Sequence, residues 1–286
     1  MRVAVIGAGT MGAGIAQVIA LGGCPVMLHD TADSILRRAL ARISRSIDQG
    51  VRLGKTDPAR ARRAKRAFTL TTALERCTAA DLVIEAVAED RALKLSVLRA
   101  LDDLVTPETI LATSTNTLSV SALAAGTRLP ERVVGLHFCN PPHLMRLVEV
   151  VQGEHTRPAI LDRAMAFVRS INRTPVLLPD VPGLIVNRVG QVYYGEALRL
   201  LDDAGVDVPT VDRLMEALGF PMGPFRLMDF VGVDTAYDVS QALYEATFHE
   251  VRYRPHPRQR RMVEAGQTGR RVKPGFYPLG SGPDQG

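Results

Sequence analysis

The hexapeptide Gly7-Ala8-Gly9-Thr10-Met11-Gly12 constrains this chain more than any other segment. It follows the apolar run Val3-Ala4-Val5-Ile6, which reads as a buried parallel strand, and it leads into helical spacing over residues 12–21. Residues 25–28 read as a second strand, closing at His29-Asp30. Strand, helix and strand in so short a span make a βαβ unit. In this pattern the first glycine allows a tight turn and the second lets the backbone approach a pyrophosphate. The third lets helix and strand pack closely, with the helix N-terminus facing the phosphates. Asp30 lies at the end of the second strand, where an acid accepts hydrogen bonds from an adenosine ribose and repels a 2′-phosphate. NAD is therefore favoured over NADP. The loop alone does not separate NAD from FAD, whose proteins usually carry an acid in the same place.

Alternation continues downstream. Helices are predicted over residues 33–50, 57–67, 91–101, 119–125 and 159–171, and strands over 82–87, 109–112, 133–138, 147–151 and 174–178. The implied class is α/β: a Rossmann-like, mostly parallel sheet with helices on both faces. After Asp180-Val181-Pro182-Gly183 the strand signal nearly vanishes, and residues 184–201, 208–218, 225–248 and 258–265 read as helices. The expected division is a nucleotide-binding domain over 1–180 and a smaller all-helical domain over 181–286, which suits a chain of 286 residues. The glycine- and proline-rich residues 269–286 are expected at the surface.

Composition excludes several classes. Apolar residues at 46% and charged residues at 23% describe an ordinary globular chain, not a disordered one. No apolar run approaches the ~20 residues of a membrane span, and the segment before the first strand is too short for a signal peptide. A cytosolic location is expected. Cys24, Cys77 and Cys139 are an odd, scattered set without CxxC spacing, so neither a disulfide framework nor a metal site is expected. The net charge of +5 is concentrated: eleven arginines and lysines lie between Arg37 and Arg66, opposed only by Asp48 and Asp57. Such a patch attracts phosphate groups. It lacks the interleaved aromatics of a nucleic-acid surface, since only Phe68 is near.

Two strands flank the loop Asn140-Pro141-Pro142. If they pair as a hairpin centred near His143, His137 and Glu149 fall opposite each other on one face. A glutamate in an otherwise apolar strand is costly unless paired. A carboxylate beside an imidazole fixes its tautomer and favours its charged form, which makes a better general base. Spacing alone also allows an edge-strand glutamate and a satisfied core histidine.

These segments resemble the short-chain 3-hydroxyacyl-CoA dehydrogenases, and among them the bacterial 3-hydroxybutyryl-CoA dehydrogenases. The resemblance runs through GAGTMGAGIAQ from Gly7, ADLVIEAVAED from Ala80 and PERVVGLHFCNPPHLMRLVEVV from Pro130. It continues through DVPGLIVNR from Asp180, FPMGPFRLMDFVGVDT from Phe220 and GFY at Gly275. It implies that His137 takes the proton of a 3-hydroxyl while Glu149 orients it, with hydride passing to NAD. Asn187 matches the family's catalytic asparagine. Glu89, Lys94 and Asn140 match cofactor contacts, and Ser46 a coenzyme A contact. Arg52 and Lys55 are phosphate partners by charge alone. Where the family has Asn-Thr-Ser, this chain reads Ser114-Thr115-Asn116, so Asn116 takes the position of a serine that touches cofactor and substrate. Asn116 therefore joins the catalytic, cofactor and substrate residues, and it leaves room for a different substrate. Residues 270–274 depart from the family's lysine- and glycine-rich pattern. The resemblance further implies an acyl-CoA substrate in a cleft between the sheet's carboxyl edge and the helical domain, and a homodimer formed through that domain. A dehydrogenase of free hydroxy acids or sugar acids, and a silent NAD-binding paralogue, are the alternatives.

Overall fold

The structure is a computed structural model that describes residues 1–269 and 273–279. The chain divides into two compact units, Met1–Val181 and Pro182–Gly286.

The first unit is built on one eight-stranded sheet. Its strands are β1 (Val3–Ile6), β2 (Val26–His29), β3 (Phe68–Thr71), β4 (Leu82–Glu85), β5 (Ile110–Thr113), β6 (Val133–Phe138), β7 (Leu147–Gln152) and β8 (Thr174–Pro179). They lie in the order β3-β2-β1-β4-β5-β6-β7-β8. All neighbours pair in parallel except β6 and β7. The helices are α1 (Thr10–Leu21), α2 (Asp33–Arg52), α3 (Pro58–Arg66), α4 (Arg91–Leu104), α5 (Val120–Ala124) and α6 (Pro158–Ser170). β3 escapes the sequence reading because FTLT is a half-exposed edge strand with two threonines and no apolar run.

Side chains alternate across the sheet, and the alternation sorts structure from chemistry. Val3, Val5, Leu28, Ile84, Ala112, Val134, Leu136, Phe138, Val148 and Val150 share one apolar core with α1, α2 and α6. The intervening positions point the other way. In register there, Ile6 pairs with Glu85, Glu85 with Thr113, and Thr113 with Gly135, while His137 lies two residues beyond Gly135. The polar groups thus gather on one face, at the carboxyl edge of the parallel strands. Asp180 fixes the nearby start of α5 by accepting from Ser119 Oγ, Val120 N and Ser121 N.

The second unit comprises α7 (Val186–Asp203), α8 (Val208–Ala217), α9 (Pro224–Val231), α10 (Val233–Ala246) and α11 (Pro257–Glu264). The single helix expected over residues 225–248 is broken at Gly232, whose φ of 108° no helix accommodates. Tyr194, Leu198, Val211, Phe225 and Met228 form its core, with Phe276 and Tyr277 packed against them. Lys273, Pro274, Pro278 and Leu279 lie at the surface as expected, while those two residues between them are half-buried. Asp229 accepts from both of their amides at 2.9 Å, and the Tyr277 hydroxyl donates to buried Asp212 at 2.8 Å. Residues 270–272 and 280–286, also part of that expectation, lie outside the described residues.

Candidate active site

The glycine loop joins β1 to α1. Gly7 has a φ of 98°, and a Cβ there would lie 2.7 Å from the Ala86 carbonyl oxygen. A Cβ on Gly12 would lie 1.8 Å from the Gly7 oxygen, whereas the space beside Gly9 is open. Gly9 caps α1 without a side chain, so the first-turn amides of Thr10 and Met11 are left for an anion. Asp30 is oriented toward this loop, its Oδ2 accepting from Ala8 N at 2.7 Å and its Oδ1 from Thr31 N at 2.8 Å. An open cradle over helix amides with an oriented carboxylate beside it fits the pyrophosphate and ribose of a dinucleotide.

Next to the loop is a cavity of about 100 Å³ lined by Thr10, Gly14, Gln17, Arg42, Ser46, Asn140 and His143, among others. It brings together the nucleotide loop, the basic helix α2 and the turn between β6 and β7. Within it Gln17 Nε2 donates to Ser46 Oγ at 3.0 Å, and Arg42 Nη2 donates to the Gly9 carbonyl at 2.8 Å. Burial, then the neighbouring Arg173, pushes His143 below its ordinary value. Arg52 ends α2 and Lys55 lies in the turn after it; both are exposed.

On the antiparallel pair β6–β7, His137 stands opposite Glu149. Its Nδ1 is 2.6 Å from Glu149 Oε2, and Glu149 is fully buried. An ionised carboxylate only accepts, so Nδ1 carries the proton toward Glu149 and Nε2 is the nitrogen left outside the pair. Nε2 in turn lies 2.6 Å from Asn116 Oδ1. Cys139 is a third neighbour, its sulfur and one atom each of His137 and Glu149 all lying within 4.8 Å of one another. Burial, then the charge of Glu149, pushes its thiol up to about 12, so it stays protonated near neutral pH.

Asn116 sits on a turn held from below. Glu89 Oε1 accepts from Thr115 Oγ1 at 2.6 Å, Asn116 N at 2.8 Å and Thr117 N at 2.9 Å. Burial raises the Glu89 carboxyl, but Lys94 and these hydrogen bonds outweigh it and hold it below the usual range. Lys94, a cofactor contact by resemblance, lies in the interior. It is 1% exposed, and its Nζ donates to Glu85 Oε1 at 2.9 Å and to the Val87 carbonyl at 3.2 Å. Enclosed in this way, its ammonium neutralises Glu85 and Glu89. Thr113 Oγ1 closes the network on Glu85 Oε2 at 2.7 Å. Asn187 belongs to the second unit, where it is the second residue of α7.

Sequence reading missed Glu85, Arg42 and Gln17. A signal existed for Glu85: it is a charge in the apolar strand Leu82-Val83-Ile84-Glu85, the same oddity that drew attention to Glu149. Nothing local distinguishes Arg42 from the other arginines of α2.

Comparison with known proteins shows the family. The 3-hydroxyacyl-CoA dehydrogenase NAD-binding domain matches residues 2–181, and the family's C-terminal domain matches residues 183–279. The chain is 36% identical to a 3-hydroxybutyryl-CoA dehydrogenase of Clostridioides difficile, covering 97% of this chain and 99% of that protein. It is 38% identical to the Escherichia coli 3-hydroxyadipyl-CoA dehydrogenase, of whose length it spans 58%, over 96% of its own. The crystal structure of Mycobacterium tuberculosis FadB2 superposes with a TM-score of 0.94 at 38% identity, covering 97% of this chain and 98% of that one. NAD is the cofactor this N-terminal domain is built for, and the chain belongs to the 3-hydroxyacyl-CoA dehydrogenase family.

Proposed function

We propose that this protein interconverts short-chain (S)-3-hydroxyacyl-CoA and 3-ketoacyl-CoA thioesters, such as 3-hydroxybutyryl-CoA and acetoacetyl-CoA, with NAD. The observation that carries the reading is the 2.6 Å contact between His137 and buried Glu149. In the oxidative direction Nε2 accepts the proton of the 3-hydroxyl as C3 gives up its hydride. The product is the ketone, and the proton rests on an imidazolium facing the Glu149 carboxylate. NAD, when bound, supplies the hydride acceptor. In the reverse direction the imidazolium returns the proton to the carbonyl oxygen. A general base of this kind contributes about 10²–10⁴ in rate. Asn187 is assigned by resemblance to the reacting oxygen, and Asn140 to the nicotinamide side.

Ser46, with Arg52 and Lys55 on and after α2, is assigned to coenzyme A. The support is the density of positive charge there and the cavity that Ser46 lines. Val189, Val192, Leu214 and Leu218 expose apolar surface on α7, α8 and the turn that follows, which supports a homodimer formed through the helical unit. No described helix is long and apolar enough to cross a membrane, and we place the enzyme in the cytoplasm.

The test is NADH oxidation with acetoacetyl-CoA compared with free acetoacetate and with longer ketoacyl thioesters. The thioester is expected to be turned over far faster than the free acid. A preference for the free acid would move the protein to the hydroxy-acid class. Replacing Asp30 by Ala is expected to weaken the preference for NAD over NADP about tenfold or more. An unchanged ratio would remove Asp30 from the ribose site.

A further inference from the structure

The contact between Asn116 and the working nitrogen of His137 asks for a role, because that nitrogen is where the reacting oxygen has to bind. As placed, Oδ1 faces Nε2 and both neighbours of the ring accept hydrogen bonds, an arrangement that satisfies a protonated ring. A half-turn of the amide brings Nδ2 to the same spot and satisfies a neutral ring. One side chain therefore serves Nε2 in either protonation state without moving its backbone. That backbone is held in place. Glu89 Oε1 takes the amides of Asn116 and Thr117 and the Thr115 hydroxyl, and Thr115 Oγ1 takes the Leu118 amide at 3.0 Å. Beneath Glu89, buried Lys94 lies 3.4 Å from Oε2. The turn is thus fixed by charge-assisted hydrogen bonds at its base, and its one amide side chain is delivered to the histidine.

We propose that Asn116 is a positioning residue that caps Nε2 of His137 between turnovers, occupying the place of the reacting oxygen until substrate displaces it, and that Glu89 sets the cap. The proposal rests on the dehydrogenase reading above and goes beyond it. It reverses the sequence expectation that Asn116 binds substrate, and it gives Glu89 a partner in the protein in place of the cofactor. An internal occupant competes with the substrate and so raises its apparent KM. Once displaced, the amide still walls the ring, so its removal lets the imidazole tilt and slows the chemical step.

The experiment compares Asn116→Ala and Asn116→Ser with the unaltered enzyme, using acetoacetyl-CoA and NADH. Serine keeps a polar group, but its shorter side chain does not span the contact to Nε2. Thermal melts establish that each variant is folded. For both variants the KM for acetoacetyl-CoA is expected to fall about threefold to tenfold, the worth of one displaced hydrogen bond. The kcat is expected to fall severalfold as well, with NADH affinity unchanged. Direct titration of acetoacetyl-CoA into the NAD⁺-loaded, non-reacting enzyme is expected to show the same tightening without any turnover. Glu89→Gln is expected to repeat the pattern at smaller amplitude, again with NADH affinity intact.

A KM that rises or stays the same overturns the cap and returns Asn116 to substrate binding or to no role. Loss of NADH affinity in Glu89→Gln returns Glu89 to the cofactor. Absence of turnover by the unaltered enzyme with every thioester would instead refute the dehydrogenase reading, a result that the titration keeps separate.

Discussion

Strand β6 carries a buried pair of ionisable groups at each end, and the two pairs are built differently. Just before the strand, Arg132 Nη2 donates to Asp102 Oδ1 at 2.5 Å, with both side chains 1% exposed. Near its other end, His137 meets Glu149 at 2.6 Å with comparable burial. The first pair is tied to several backbone partners. Arg132 also donates to the Thr106 and Asp102 carbonyls, and Asp102 Oδ2 takes the Arg128 amide at 2.6 Å. A guanidinium does not give up its proton, so this pair ties the end of α4 to the start of β6. The second pair contains an imidazole, a ring with two nitrogens that can each hold or release a proton, and one of them lies outside the pair. Similar geometry thus anchors the strand at one end and, in the function proposed above, serves proton transfer at the other. The difference lies in which cation the sequence supplies.

Substitutions sharpen or break this contrast. His137→Ala is expected to lower kcat at least a hundredfold while melting temperature and NADH affinity stay near their original values, read by steady-state kinetics, thermal melts and fluorescence titration. Arg132→Met does the reverse. It strands the Asp102 carboxylate in the interior and is expected to cost about 3–5 kcal/mol of stability, or roughly 10 °C in melting temperature, with little change in kcat per folded molecule. Removing both charges with Arg132→Met and Asp102→Leu is expected to recover part of that loss. Glu149→Gln keeps the volume but removes the charge facing the imidazolium, and is expected to lower kcat on the order of tenfold to a hundredfold. If Glu149→Gln instead unfolds the protein while sparing kcat, the two ends are alike and the contrast fails.

The smallest expected effect is pH-dependent. Burial raises the Asp102 carboxyl, but Arg132 and the Arg128 amide outweigh it and hold it below the usual range. Its contribution to stability is therefore complete above the unfolded value of about 3.9 and is lost as pH falls through the lower folded value. Urea unfolding at pH 7, 4 and 3 is expected to show a loss in the unaltered protein that Arg132→Met largely lacks.

Much of this was legible in the sequence where local pattern and tertiary demand coincide. The glycine loop, Asp30 and the opposition of His137 and Glu149 follow from motif spacing and strand periodicity, since a hairpin centred near residue 143 leaves those two side chains facing each other. The rest depends on distant partners. Lys94 looks like a solvated helix residue until Glu85, nine positions away, is known to point at it from β4. Gly232 lies in continuous helical spacing, and only its backbone angle separates α9 from α10. Phe276 and Tyr277 sit in a glycine- and proline-rich stretch whose docking is decided by buried Asp212 and half-buried Asp229. Such long-range pairings leave no periodicity to read.

The most direct measurement of the central claim is NADH oxidation with acetoacetyl-CoA by His137→Ala, followed as imidazole is added. With the ring of residue 137 as the proton carrier, the variant is nearly inactive and imidazole restores turnover in a saturable way. A variant that turns over at the original rate, indifferent to imidazole, would contradict the account.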